Sequence, residues 1–173
     1  MRDAVDRILE QWAVERPDLD ASPMGVLGRI NRLAKELEGP LLRVFGRFGL
    51  DRGEFDVLAS LLRAGKPYQL TPRALGESMM VTSGAVTKRV DRLERVGLLA
   101  RKPEPRDRRV VLVRLTPKGI ALVNEAVEEH IANEERLLTA LSGKDREQLV
   151  RLLRKLGESI QKAEEDPAPA SSS

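Results

Sequence analysis

One stretch, Leu70 to Thr116, constrains this chain more than any other: LTPRALGESMMVTSGAVTKRVDRLERVGLLARKPEPRDRRVVLVRLT. Its hydrophobic period changes along its length. Thr71 offers a hydroxyl N-cap with Pro72 at the first helical position, so a short helix starts there with Leu75 and Met79 facing inward. The chain turns at Met80-Val81. Thr82 or Ser83 then caps a second helix in which Val86, Val90 and Leu93 recur at helical spacing, and Gly97 stops it. Residues 98–102 and 110–115 alternate as two antiparallel strands around a loop holding Pro103, Pro105, Arg106, Asp107, Arg108 and Arg109. Two helices across a tight turn, followed by an arginine-tipped hairpin, predict a winged helix-turn-helix: a mainly α fold with a small β wing.

The exposed face of the second helix carries Ser83, Gly84, Thr87, Lys88, Asp91 and Arg92. Small residues near its start permit close approach to a major groove, and hydroxyl and cationic groups further on reach base edges and phosphates. Ser83, Thr87, Lys88 and Arg92 are the expected DNA contacts. At the wing, Arg106, Arg108 and Arg109 suit a narrow minor groove, with Asp107 expected to brace them. Between Thr82 and Lys118 there are 11 Lys/Arg against 4 Asp/Glu, a local balance of +7 in a chain whose net charge is +3, leaving −4 elsewhere. A basic cluster in an otherwise acidic chain is the footprint expected for double-stranded DNA. A solvated charge run is the alternative for charge taken alone.

A length of 173 residues predicts one domain with a real core. The absence of cysteine excludes a disulfide framework and thiolate metal sites, and fits a reducing cytoplasm. The N-terminal residues lack a long apolar run, so neither a signal peptide nor a membrane span is expected. Val5, Ile8, Leu9 and Trp12 predict an amphipathic helix from Asp3 to about Glu15. Ser22 as cap and Pro23 open a long helix to about Phe48, with Val26, Leu27, Ile30, Leu33, Ala34, Leu37, Leu41 and Val44 inside and a kink at Gly39-Pro40. A third helix from Asp51 to about Ala64 buries Phe55, Leu58, Ala59 and Leu62. Tyr68-Gln69-Leu70 is expected to add a short strand to the wing. Thr116-Pro117 starts a helix to about Leu141, and Ser142 caps a last one to about Glu164. Residues 166–173 are expected to be disordered.

The order of these elements, with DRR at Asp107-Arg108-Arg109 and LTPKG at residues 115–119, resembles the MarR family of winged-helix transcriptional regulators over nearly the whole chain. The resemblance implies a ligand-responsive, sequence-specific DNA-binding regulator, typically a repressor, without catalytic residues, metal or cofactor. It also implies a homodimer through the N- and C-terminal helices, residues 1–48 and 117–165, with residues 51–116 as the DNA-binding lobe. That assignment agrees with the apolar stripes of the terminal helices, which exceed what one winged-helix core can cover. A two-fold dimer predicts a pseudo-palindromic operator.

Within that family the chain is similar to the urate-responsive branch, which is marked by a tryptophan in an extra N-terminal helix, an aspartate before the helix-turn-helix, one arginine in the recognition helix and one opening the wing. Here these are Trp12, Asp56, Arg89 and Arg101. The resemblance implies an effector site for urate or a similar small anion. An indole can stack on a flat anion, and two guanidinium groups can fork onto its oxygens. Asp56, if paired with Arg89, would yield that arginine to the ligand. Taken singly, Trp12 is also readable as a core or interface anchor, Asp56 with Arg89 as a positioning salt bridge, and Arg101 as a phosphate contact. Other readings are a regulator answering to a phenolic or polycarboxylate ligand, and a constitutive DNA-binding protein. A zinc enzyme built on His130 and neighbouring glutamates ranks last, since His130 on that acidic helix is expected to face solvent.

Overall fold

The computed structural model describes residues 2–79, 83–104, 107 and 109–165. The chain divides into two compact units, Met1–Asn133 and Glu134–Ser173.

In the first unit, α1 (Ala4–Glu15) begins at a capping box in which the Asp3 carboxylate accepts from the Asp6 backbone while Asp6 reciprocates. It lies on α2 (Ser22–Arg47), where Gly28 and Gly25 leave room for Val5 and Leu9. Arg29 ties the pair, donating to Asp3 at 2.8 Å and to Asp6 at 2.5 Å. The expected Ser22 cap is corrected. Ser22 lies inside the helix behind Ala21, because the Asp20 carboxylate accepts from both its backbone N–H (2.9 Å) and its hydroxyl (3.0 Å). The helix continues through Pro40 to Phe48 at its C-cap.

Helix α3 (Arg52–Arg63) starts at an Asp51/Glu54 capping box. A two-residue strand, β1 (Gln69–Leu70), precedes α4 (Pro72–Met79), whose cap is Thr71 as expected, its hydroxyl accepting from Ala74 at 3.1 Å. Helix α5 (Ser83–Arg95) ends at Gly97, whose φ of +77° is left-handed and suits a residue without a side chain. Strands β2 (Leu99–Pro103) and β3 (Val111–Leu115) complete an antiparallel sheet in the order β1-β3-β2, with Leu70 and Arg101 both opposite Val113. Helix α6 (Pro117–Leu137) follows, and Thr116 caps it by accepting from Gly119 at 3.0 Å.

The core gathers Val86, Val90 and Leu93 of α5, Leu75 of α4, Leu58 and Leu61 of α3, Val113 of β3, and Val123 and Ala126 of α6. From α2 only Val44 and Phe45 join the fully buried set. The expectation that Val26, Leu27, Leu33, Ala34 and Leu37 lie inside is therefore corrected: all five are exposed, the four larger ones by 41–57%, because the neighbours against which α2 packs, α1 and α3, leave this stripe uncovered. His130 is also corrected. It does not face solvent but packs with ring centroids 5.2 Å from Phe45 and 5.1 Å from Phe55, which are themselves stacked at 4.4 Å. Residues 123, 126, 127 and 130 share one helical face, and that spacing turns the imidazole inward.

In the second unit α6 ends at Leu137, short of the expected Leu141, and Thr139 donates its hydroxyl back to the Arg136 carbonyl at 2.8 Å. The Ser142 hydroxyl accepts from Asp145 N–H at 3.3 Å as α7 (Gly143–Glu165) begins. Arg146 holds the turn, with Glu135 at 2.8 Å and the Leu138 carbonyl at 3.1 Å. Leu149, Leu152, Leu153 and Ile160 line α7 and are all exposed.

Candidate nucleic-acid interface and effector site

The recognition surface is built on α5. Its apolar stripe anchors it to α3 and α4, so the opposite face, with Gly84, Thr87 and Lys88 exposed, is left to solvent. Ser83 opens the helix. At the wing, Asp107 holds the turn through the backbone: its carboxylate accepts from Arg109 N–H at 3.0 Å and its carbonyl from Val110 N–H at 2.9 Å. Arg109 is exposed at the hairpin end. Arg106 and Arg108, expected to contact DNA, lie outside the described residues.

Of the four expected effector residues, Arg89 and Arg101 both bear on α5, but through partners the sequence did not suggest. Arg101, on β2, is ion-paired at 2.6 Å with Asp91 and also with Glu94, and its backbone N–H donates to Glu94 at 3.0 Å. The Asp91 carboxylate, followed by Glu94, raises the Arg101 guanidinium above its ordinary value. Strand β2 is thereby buttoned to the recognition helix.

Arg89 lies across the first turn of α3. Its guanidinium occupies the space above Gly53, where a Cβ would fall 2.5 Å from Nη2 and closer still to Nε and Cζ. Asp56 is half-buried one turn further on, and among the described residues no ion pair joins it to Arg89. The expected Asp56–Arg89 pair is corrected: the seat of Arg89 is the glycine at position 53. Trp12 is 39% exposed on α1. No hydrogen bond, ion pair or ring contact among the described residues joins it to Asp56, Arg89 or Arg101.

The carboxylate that does pair with the recognition helix is Glu54, which the sequence reading passed over. It closes the α3 capping box, accepting from Asp51 N–H at 3.0 Å, and holds Arg92 in an ion pair. Its side chain is 2% exposed against 49% for Arg92. Arg92 also donates to the Gly49 carbonyl at 3.3 Å, and Glu54 raises the guanidinium above its ordinary value. The missed signal was the DxxE spacing of Asp51 and Glu54, which buries a glutamate beside a helix three residues of which are arginine.

A helix-turn-helix whose second helix is exposed along its polar face, flanked by a three-stranded wing, defines a winged-helix DNA-binding protein. Residues 48–110 match the MarR family. The chain is 42% identical over 149 residues to the HTH-type transcriptional regulator PecS of Dickeya dadantii (strain 3937), covering 86% of this chain and 90% of that one. It is 32% identical to the HTH-type transcriptional regulator MhqR of Bacillus subtilis (strain 168), over 74% of this chain and 86% of that one. Among solved structures, a mutant MarR from E. coli complexed with operator DNA superposes with a TM-score of 0.66 at 26% identity, covering 90% of this chain and 99% of that one. The chain belongs to the MarR family. It is a DNA-binding transcriptional regulator rather than an enzyme, and no helix among its described residues is long and apolar enough to cross a membrane.

Proposed function

We propose that the chain acts as a homodimeric repressor that leaves a pseudo-palindromic operator when urate, or a similar small anion, occupies the arginines beside its recognition helix. One observation carries this reading. Arg89 and Arg101, the two cations suited to an anion, each tie α5 to a neighbouring element, Arg89 of α5 resting on Gly53 of α3 and Arg101 of β2 holding Asp91 and Glu94 of α5. An anion that draws either guanidinium away loosens the helix that reads DNA, so effector and duplex oppose each other reciprocally. Trp12 supplies a flat apolar surface for a purine-like ring, and Asp56 supplies a carboxylate that the incoming anion would repel.

Dimerisation is supported by the exposed apolar side chains of α1, α2 and α7, among them Ile8, Leu27, Leu33, Leu149 and Leu153. Such faces are unfavourable in water unless a second surface covers them. Residues 1–48 and 117–165 would supply that interface and residues 51–116 the DNA-binding lobe. On DNA, Ser83, Thr87 and Lys88 would enter the major groove and Arg106, Arg108 and Arg109 the minor groove. Light scattering of the protein with a duplex it selects from a random-sequence pool tests the assembly. The expected species is two chains per duplex, dissociating on addition of urate; a single chain per duplex, indifferent to urate, contradicts it.

A further inference from the structure

Arg92 is half exposed on the helix that reads DNA, and its charge and position suggest a groove contact. Its surroundings point elsewhere. Glu54 is a carboxylate removed almost entirely from water, and a buried charge of that kind must keep a cation and hydrogen-bond donors close. The structure offers it the Asp51 N–H at 3.0 Å and the Arg92 guanidinium. Arg92 in turn reaches the Gly49 carbonyl at 3.3 Å. One guanidinium thus joins the end of α2, the start of α3 and the recognition helix.

The other ties of α5 to the lobe are of three kinds. Arg89 rests on Gly53 at the start of α3. Val86, Val90 and Leu93 supply apolar burial, which fixes the buried face of the helix but, being non-directional, resists small rotations about its axis less than a directional bond does. Asp91 and Glu94 hold Arg101 of the wing. Residues 91 and 94 share a face, and residue 92 lies about 100° around the helix from residue 91. Charge-assisted hydrogen bonds on two faces at that separation, directional as such bonds are, determine the angle at which the helix presents Thr87 and Lys88.

We infer that Glu54 is a positioning residue for DNA recognition: it holds Arg92 as an internal strut that sets the rotation of α5, and Arg92 is not itself a reader of bases or phosphates. This rests on the assignment of α5 as the recognition helix and reassigns one residue first expected to contact DNA.

Glu54→Gln tests it cleanly, because glutamine still serves a capping box while the charge is lost. Binding is measured by fluorescence anisotropy to a duplex that the wild-type protein selects from a random pool, across a range of salt concentrations. Glu54→Gln and Arg92→Gln should each weaken binding on the order of tenfold. Glu54→Gln with Arg92→Gln together should be no weaker than the worse single variant, Arg92→Lys should recover part of the loss, and the salt slope should be unchanged throughout. If Arg92→Gln alone does not fold, the doubly neutral variant, which strands no charge, carries the comparison.

Tighter binding by Glu54→Gln would show that the glutamate restrains a DNA contact and would overturn the inference. So would a salt slope reduced by about 0.9 in any variant lacking Arg92, the mark of one lost phosphate contact, or losses that multiply in the double variant. Wild-type protein that selects no duplex overturns the recognition-helix assignment and this inference with it; wild-type binding with unaffected variants overturns the inference alone.

Discussion

Replacing Gly53 by alanine separates the stability of the lobe from the placement of Arg89. A Cβ at this buried position would lie 2.5 Å from the Arg89 Nη2, with Nε and Cζ nearer. Ordinary packing needs about 3.5 Å, so the guanidinium must retreat by about 1 Å or more. The obstructing atoms are the far end of a flexible side chain, so the backbone can stay where it is. Alanine in place of a helical glycine stabilises by about 0.5–1 kcal/mol, and the lost packing of the guanidinium stem and head offsets a similar amount. The net change should fall within about 0.5 kcal/mol, which for a chain of this size moves Tm by roughly 2 °C or less. Effector response should change far more. The displaced guanidinium no longer braces α5, so duplex affinity without urate should fall several-fold. A forked arginine moved by about 1 Å no longer meets both oxygens of its anion, so the urate concentration that halves the remaining duplex affinity should rise on the order of tenfold. Circular dichroism melting and anisotropy of a labelled duplex measure the two effects. An unchanged urate midpoint at unchanged Tm would remove Arg89 on Gly53 from the effector site. A fall in Tm of more than about 5 °C would make Gly53 a packing requirement of α3 instead.

Arg109→Ala should weaken duplex binding at moderate salt by about tenfold or more, or about 1.4 kcal/mol, and unchanged affinity would count against wing insertion. The docking of α1 should depend on pH. Asp3 is held below its ordinary value first by the Asp6 backbone N–H and also by Arg29, and Asp6 by the Asp3 N–H and Arg29. Because both folded values are depressed, their support of α1 is complete above the unfolded value of about 3.9 and is lost as pH falls through the lower folded values. Trp12, the single tryptophan, should report that release by fluorescence, and Arg29→Gln should move the transition upward toward the ordinary value; a transition that stays in place would show that Arg29 does not hold the helix.

Local signals predicted local structure well. Thr71-Pro72 and Thr116-Pro117 start helices where expected, Gly97 ends one, and Gln69-Leu70 does pair with β3, because caps, rings and left-handed glycines act within a few residues. Partners across elements were harder. Periodicity identifies the apolar face of α2 but not what covers it, and within this chain most of that face meets no core. The four proposed effector residues were picked out by their chemistry, whereas the seats of Arg89 and Arg101 were not legible, since Gly53, Asp91 and Glu94 become their neighbours only when α3, α5 and β2 pack together. Glu54 was passed over for a related reason: in sequence it is one more carboxylate in a charged chain, and only its burial against Arg92 distinguishes it.

Titration of the protein–duplex complex with urate, following Trp12 fluorescence and duplex anisotropy in the same cuvette, bears on effector control without intermediaries. Quenching of the indole and loss of anisotropy should follow one curve with one midpoint, as expected if the anion that contacts Trp12 is the anion that frees the recognition helix. Duplex that stays bound while urate saturates the indole, or an indole and a duplex both insensitive to urate, would contradict the effector-controlled repressor described above.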